Sequence, residues 1–582
     1  MTQPRPWSQY LGRARHLQMQ FQALIAMGLE ALHAVCDLGL RFWLSWAVPQ
    51  IQGVAATPKD LRPVDLDQGK AILAGNLSLS GGQIEIGPDG NPWSMTSPSR
   101  QFATALHQFV WLNNLVALGA EGRLKGLQLV LGWQREFGRW NRFAWDRSVL
   151  ERRVYAFACQ LGGLAKVASD LEIGQVCKGL LRQAHYLMAE PGPSPAERAT
   201  LVAIAACALK GPNPERLLAR ALGRLVQTLP VTVLSDGGHV SRSPEAAMAL
   251  LLDLLSLDDG LSQRGQAAPA AVTLAISRLT QAMRFFTLPD GRLASFQGGE
   301  AGDRAMIAAA RAHDDQDLDP KLPQQARQSG YQRLQIGALT VMVDVGAPIA
   351  GPWSQTACAQ PLALEIVCGR DRLVMNGGWS PRLTQADAYR LTPAGSTVCL
   401  GQSSTGQVLQ GPLANKLGPR LVGGSSAFQF RRREAESGIL LEASHDGWVS
   451  EFGLFHERRI FLRRDADELR GEDYFFRRQD QWRQIDPGRA IRLDVYFHLH
   501  PNIRASLAQD RRSVLLLTLG AGGWRLRSDA AVINIEQGVQ FMNGLPRRTS
   551  KIVLRDSLAR QGGGKIRWKL DRTDTDRGAG AS

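Results

Sequence analysis

Asp236-Gly237-Gly238-His239-Val240-Ser241-Arg242-Ser243-Pro244 is a short polar turn set between two unlike halves of the sequence. Before it, apolar residues recur every three and four positions, as at Leu150, Val154, Ala158 and Leu161, the spacing of one helix face. From about Leu288 onward the apolar runs are short and separated by Gly, Pro and Asp, which reads as strand after strand. A helical half joined to a sheet half, with a polar turn near the join, implies a large cleft between them. Ligand sites tend to sit in such clefts.

Working outward toward the N-terminus, the periodicity predicts helices over 102–118, 123–137, 149–165, 173–188, 196–210 and 214–227. Two more follow the turn, over 244–257 and 270–286. Pro191-Gly192-Pro193 and Gly211-Pro212 punctuate the joins. Successive helix pairs of this length point to a curved array or toroid with its loops on one rim. Between Gln52 and Ser99, Gly, Pro and Asp abound around Leu77-Ser78-Leu79-Ser80 and Gln83-Ile84-Glu85-Ile86, an extended and partly β segment. Residues 1–50 read as one long helix or two. Their apolar stretch is interrupted by Glu30, His33, Asp37 and Arg41, so it makes a poor membrane span. It fits an amphipathic helix packed on the protein or in peripheral contact with a membrane surface.

On the other side, 338–345, 363–367, 372–375, 396–400, 439–443, 459–462 and 491–498 are β-type runs at fairly regular intervals. That is the pattern of a sandwich of antiparallel sheets. The expected organisation is an α+β multidomain chain: a helical extension over 1–50, a toroid-like helical domain over 51–287, a sandwich over 288–565 and a disordered tail over 566–582.

With 582 residues the chain is too long for one core. A hydrophobic fraction of 44% and a charged fraction of 21% are those of a globular protein. Lys+Arg 68 against Asp+Glu 53 gives a net charge of +15, with Arg prevailing over Lys. Guanidinium forks suit carboxylate, sulfate and phosphate, so the balance fits either a polyanionic partner in a basic cleft or plain solvated surface charge. The charge is diffuse and no nucleic-acid module is recognisable, which argues against nucleic acid as the partner. The seven cysteines are scattered and lack CxxC spacing, which argues against a disulfide scaffold and against a zinc cluster. No metal and no cofactor are expected. A reducing, cytoplasmic setting fits the thiols and the absence of signal-peptide grammar.

Several stretches carry a family likeness in order along the chain. They are Trp111-Leu112-Asn113-Asn114-Leu115, Asp236 to Pro244, Asp290 to Gly299 (DGRLASFQGG) and Ser329-Gly330-Tyr331-Gln332-Arg333-Leu334. Asn376-Gly377-Gly378-Trp379, Ser444-His445-Asp446-Gly447-Trp448, His456-Glu457-Arg458-Arg459 and Phe497-His498-Leu499-His500-Pro501 follow. With these the chain resembles the heparinase II/III-like polysaccharide lyase proteins. The resemblance implies an incomplete (α/α) toroid followed by an antiparallel β-sandwich, and β-elimination on an acidic, uronate-containing, glycosaminoglycan-like polysaccharide. It also implies a periplasmic or envelope setting, against the cytoplasmic one.

Elimination sets three tasks. The uronate carboxylate must be neutralised, a base must take the C5 proton, and an acid must protonate the leaving oxygen. The resemblance implies an Asn or His neutraliser on the helical domain, with Tyr and His as base and acid. The sequence departs from that pattern. A Tyr-His pair is replaced by Pro244-Glu245-Ala246-Ala247, the neutraliser region 193–200 holds neither Asn nor His, and an Ala-His run reads Ala394-Gly395-Ser396-Thr397. The remaining catalytic candidates are His239, as neutraliser or base, and Tyr389, as acid. Each has a plainer alternative, a loop histidine bonded to backbone and a packed tyrosine. Arg242 would clamp a carboxylate or stand exposed. Asn376 and Trp379 are substrate-binding by the resemblance. His445 and His456 read as structural. His498 and His500 share one strand face, a metal-capable geometry that lacks a third ligand. Arg431-Arg432-Arg433 with Arg458-Arg459 and Arg463-Arg464 would line a polyanion groove or guard a sheet edge. Two functions stay open: a lyase, or a family member without turnover acting as an acidic-glycan-binding or scaffold protein.

Overall fold

The structure, a computed structural model, describes residues 51–190, 192, 194–314, 322–383, 386–477, 490–520, 522–558 and 563–573. The helical extension expected over 1–50 lies outside the described residues. Seven long helices form the first half: Ala120–Phe137, Arg147–Ala165, Asp170–Ala189, Pro195–Ala208, Pro212–Thr232, Pro244–Gln263 and Ala270–Phe286. Their starts are written in local chemistry. Ser169 and Glu172 form a reciprocal capping box, Ser243 caps the 244–263 helix with Pro244 in its first turn, and Pro212 opens another. Pro195–Ala208 packs against the Arg147–Ala165, Asp170–Ala189, Pro212–Thr232 and Pro244–Gln263 helices. It is buried nearly all round, which suits its small apolar run Ala203-Ile204-Ala205-Ala206-Cys207-Ala208.

The predicted helix over 102–118 is broken. Arg100–Gln108 ends at Phe109 in the left-handed region (φ 58), and Leu112–Val116 resumes after it. Two short helices were not expected. Leu66–Leu73 is capped by Asp65, and Arg304–Arg311 packs on the 244–263 and 270–286 helices, so the helical half runs past 287. Among the described residues, no helix is long and apolar enough to cross a membrane.

Among the described residues the second half holds, beside a small pair of strands, 406–408 with 421–423, two large antiparallel sheets. One has nine strands, with 532–542, 545–558, 491–499, 371–375, 364–368, 339–344, 331–336 and 325–326 in that spatial order and 398–400 paired beside 491–499. The other has eight, ordered 428–435, 438–445, 455–463, 468–476, 564–573, 523–528, 513–517 and 504–507. Leu334, Val341, Val343 and Ile366 of the first sheet share one core with Leu441, Ile460, Leu462, Trp524 and Trp568 of the second. Tyr331, Met342 and Val367, on the opposite face, join the helical core instead. The layers therefore run helices, nine-stranded sheet, eight-stranded sheet. This explains why Leu339–Asp344 is buried at every residue and reads as a near-continuous apolar run.

The expected disordered tail over 566–582 is corrected over 566–573, while 574–582 lies outside the described residues. Gly564–Thr573 is a central strand paired with both 468–476 and 523–528, and it buries Ile566, Trp568 and Leu570 on one face. The alternation of these three with Lys565, Arg567 and Lys569 was the signal for a half-buried strand.

Candidate functional site

The Asp236–Pro244 turn is built by backbone bonds that bring it back on the preceding helix, Leu234 N–H to Gly238 O and Val240 N–H to Thr232 O, both 2.8 Å. Gly237 has φ 81, and a Cβ there would lie 1.9 Å from Arg278 O, so only glycine fits. Asp236 accepts the backbone N–H groups of Gln328 (2.8 Å) and Ser329 (2.7 Å), tying the turn to the sheet half.

His239 is almost wholly enclosed. Its Nδ1 accepts the Ser241 backbone N–H (3.1 Å) and lies 2.7 Å from Ser241 Oγ, while Nε2 lies 3.0 Å from Glu197 Oε1. That bonding assigns the proton to Nε2, donating to Glu197. Trp353 packs edge-on against the ring at 5.2 Å. A base needs an open lone pair facing the substrate, and the Nδ1 lone pair of His239 is engaged inside its own turn.

Arg242 is buried as well, which corrects the expectation of a substrate clamp. Its Nε donates to Ser329 O (2.7 Å), one terminal nitrogen to Gly346 O and Ala347 O (both 2.9 Å), and the other to Gly330 O (3.3 Å) and to Asp344. All five guanidinium donors are thus satisfied within the protein. Asn376 and Trp379 are interior too, and this corrects their reading as sugar-contacting groups. Asn376 donates to Ser295 O (3.2 Å) and accepts from Ser396 N (2.9 Å), and the Trp379 ring lies under Arg390 at 4.9 Å. Tyr389 is half-buried and meets Phe541 edge-on at 4.7 Å. Among the described residues no hydrogen bond joins it to His239, whose ring bonds to Ser241 and Glu197.

What does gather beside the turn is acidic. Glu245, in the first turn of the 244–263 helix, pairs with Arg382 (2.5 Å) and accepts the Glu300 backbone N–H (2.9 Å). Glu300 meets the same Arg382 nitrogen at 3.2 Å, and its carboxylate accepts Ser380 Oγ–H (2.8 Å) and Gly544 N–H (3.1 Å). Burial pushes the Glu245 carboxyl up; Arg382 opposes this and Glu300 adds to it. The bridge Glu245–Arg382–Glu300 links Glu245 and the Glu300 loop of the helical half to the loop of Arg382 in the sheet half, at the position where the resemblance implied Tyr and His. Sequence reasoning missed Glu197, Glu300 and Arg382. Only Glu245 carried a signal, as a departure from pattern.

A cavity of about 310 Å³ lies where Trp111, Asn113 and Asn114 of the helical motif meet Asp60, Arg62 and Tyr155. Its two cations are balanced, since Arg62 and Arg152 both bind the buried Asp253 at 2.7 Å, Arg62 also meets Asp60 at 3.6 Å, and both flank the Tyr155 ring. Asp253 was legible as a lone acid in the apolar run Leu250-Leu251-Leu252-Asp253-Leu254-Leu255.

Inside the sandwich, a linear chain runs Ser425, His445, His456, Asp473, with contacts of 3.0, 2.9 and 2.8 Å. Arg458 donates to Asp473 (2.7 Å), and Trp568 Nε1–H reaches it at 3.1 Å. Burial holds His445 well below the ordinary imidazole range, reinforced by His456 and Arg458, and burial likewise lowers His456. The arginine motifs do not form one groove. Arg458 is interior, and Arg432 and Arg433 sit on the edge strand 428–435 paired with Glu434 and Glu442. Among the described residues, no cluster of three or more His, Cys, Asp or Glu could hold a metal ion.

Comparison with known proteins agrees with the layers. A sequence model described as "Heparinase II/III-like, C-terminal" matches residues 319–569. FtsZ-localized protein C of Caulobacter vibrioides (strain NA1000 / CB15N) is 45% identical over 535 residues, 91% of this chain and 92% of that protein. The crystal structure of heparinase III superposes with a TM-score of 0.67 at 11% identity, covering 94% of this chain and 91% of that one. A mutant heparan sulfate lyase from Pedobacter heparinus gives 0.59 at 13% identity, covering 96% and 91%. At such identities the likeness to the two enzymes is one of fold.

Proposed function

We propose that this chain, which belongs to the heparinase II/III-like family, uses the lyase fold as a binding scaffold at sites marked by FtsZ and does not perform β-elimination. The observation that carries the reading is the Glu245–Arg382–Glu300 bridge across the join of the two halves. A uronate carboxylate placed there would face Glu245 and Glu300, with the nearby cation already shared by both. Like charges about 4 Å apart at an effective dielectric of about 20 repel by roughly 4 kcal/mol, the opposite of the neutralisation that C5 deprotonation needs. The expected basic cleft thus has no support at this place. The engagement of the His239 lone pair inside its own turn points the same way. The FtsZ assignment rests on the 45% identical relative and its name.

The lyase reading keeps support from the shared fold and the resemblance, and one experiment separates the two. Purified protein is incubated with a panel of uronate polymers while the absorbance of the unsaturated product is followed beside an active lyase. No product is expected. Product above the enzyme-free rate overturns the scaffold reading. In dividing cells a fluorescent fusion should coincide with FtsZ, and a uniform distribution would overturn that part.

A further inference from the structure

A separate cavity of about 180 Å³ opens elsewhere between the two halves, and none of its lining residues belongs to the His239 turn or the Glu245 bridge. Arg292 and Arg304 reach it from the segment leaving the helices. Arg370 comes from the tight turn between strands 364–368 and 371–375, His500 from the end of strand 491–499, and Arg547 from the hairpin of 532–542 and 545–558.

The floor holds one cation between two carboxylates. Arg372 closes on Asp290 through two bonds of 3.0 and 3.1 Å, on Glu365 at 3.3 Å and on Leu293 O. Above it stand four guanidinium groups and one carboxylate, Asp371. Arg304 gives its Nε to Asp290 O (2.8 Å), and Arg292 gives one nitrogen to Gly302 O. Among the described residues, Arg370 and Arg547 have no ion-pair partner. The His500 Nδ1 accepts the Asn502 N–H (3.2 Å), which leaves its proton on Nε2 as a further donor. Burial, with Arg372 next, holds the His500 pKa down to about 4, so at neutral pH the ring is an uncharged donor among cations. Four like charges around so small a space repel one another until an anion enters, and a guanidinium fork matches a tetrahedral oxyanion through paired N–H bonds.

We propose that this cavity binds a phosphate-type oxyanion, as the free ion or as a small ester, held by arginines from both halves. The volume admits the oxyanion with a small substituent and excludes a polymer chain. The site is independent of the scaffold reading, since it requires neither turnover nor its absence.

The test is heat denaturation of the full chain in sodium phosphate, sodium sulfate or glucose 6-phosphate, against sodium chloride at matched ionic strength. Phosphate and sulfate should raise Tm along a saturating curve. Because Arg370 and Arg547 are exposed, the double variant Arg370→Ala, Arg547→Ala should keep the wild-type Tm in chloride and lose most of the rise. Calorimetry should show at least about tenfold weaker phosphate binding for each arginine removed. The His500 resonance should titrate at higher pH once phosphate is bound. A stronger rise with the ester identifies a small phosphoester as the source, and an equal rise identifies the free ion. A rise that follows ionic strength alone, or that persists in the double variant, overturns the proposal.

Discussion

Arg242 and Asp344, 102 residues apart in sequence, form an ion pair enclosed at the join between the helices and the nine-stranded sheet. Asp344 also accepts Gln297 Nε2–H (2.8 Å) and Gly346 N–H (3.1 Å), and the Arg242 carbonyl accepts Tyr331 Oη–H (2.7 Å). The turn that looked like a ligand clamp is a rivet between halves.

Removing one partner of such a pair strands the other in the interior. Arg242→Ala should cost about 3–5 kcal/mol, read as a lower urea midpoint. Arg242→Lys should recover little of it, because one ammonium cannot meet four carbonyls and a carboxylate. A loss under about 1 kcal/mol for Arg242→Ala would mean the pair does not hold the halves together.

Glu245→Gln removes one carboxylate from the bridge and leaves Arg382 paired with Glu300 alone. Uronate oligosaccharide binding, measured by calorimetry, should tighten at least about tenfold, or roughly 1.4 kcal/mol. Unchanged affinity would show that repulsion by Glu245 does not exclude the sugar acid.

His445 and His456 are lowered by burial, and burial with Lys551 nearby brings His498 to about 4 despite its bond to Pro393 O. The unfolded chain binds these protons near pH 6.5 and the folded chain only well below it, so the stability they contribute is present above about 6.5 and lost as pH falls toward about 4. At about pH 5, His498 alone should account for about 2 kcal/mol of lost stability. Urea midpoints measured from neutral pH downward should fall through this window, and the fall should shrink in His498→Gln. A flat profile would contradict the neutral burial of these rings.

A Cβ on Gly471 would lie 2.0 Å from the Trp568 indole. Gly471→Ala should therefore destabilise the sandwich by about 1–3 kcal/mol through overpacking, seen as a lower Tm. An unchanged Tm would mean that the strands 468–476 and 564–573 are not in the described register.

The architecture was legible wherever one face alone is buried or a cap is local. The 270–286 helix follows its periodicity to the residue, and strands 339–344 and 491–499 fall within a residue of their apolar runs. The break at Phe109 was not legible, because a left-handed phenylalanine is fixed by packing against Trp93 and Phe157 and not by its neighbours in sequence. The site was less legible than the fold. An arginine in a polar turn has the same local sequence whether it faces solvent or five acceptors supplied from residues 329–347. Glu300 and Arg382 matter only through meeting Glu245, 55 and 137 positions away, a relation set by the fold.

The strand 564–573 lies between 468–476 and 523–528, so the two flanks of the eight-stranded sheet are joined through a segment translated after both. Until it leaves the ribosome, each flank presents an unpaired edge to solvent or to a chaperone. A premature stop codon before Gly564 would therefore not trim the protein. It would leave two open edges facing each other, and the product should be recovered in inclusion bodies.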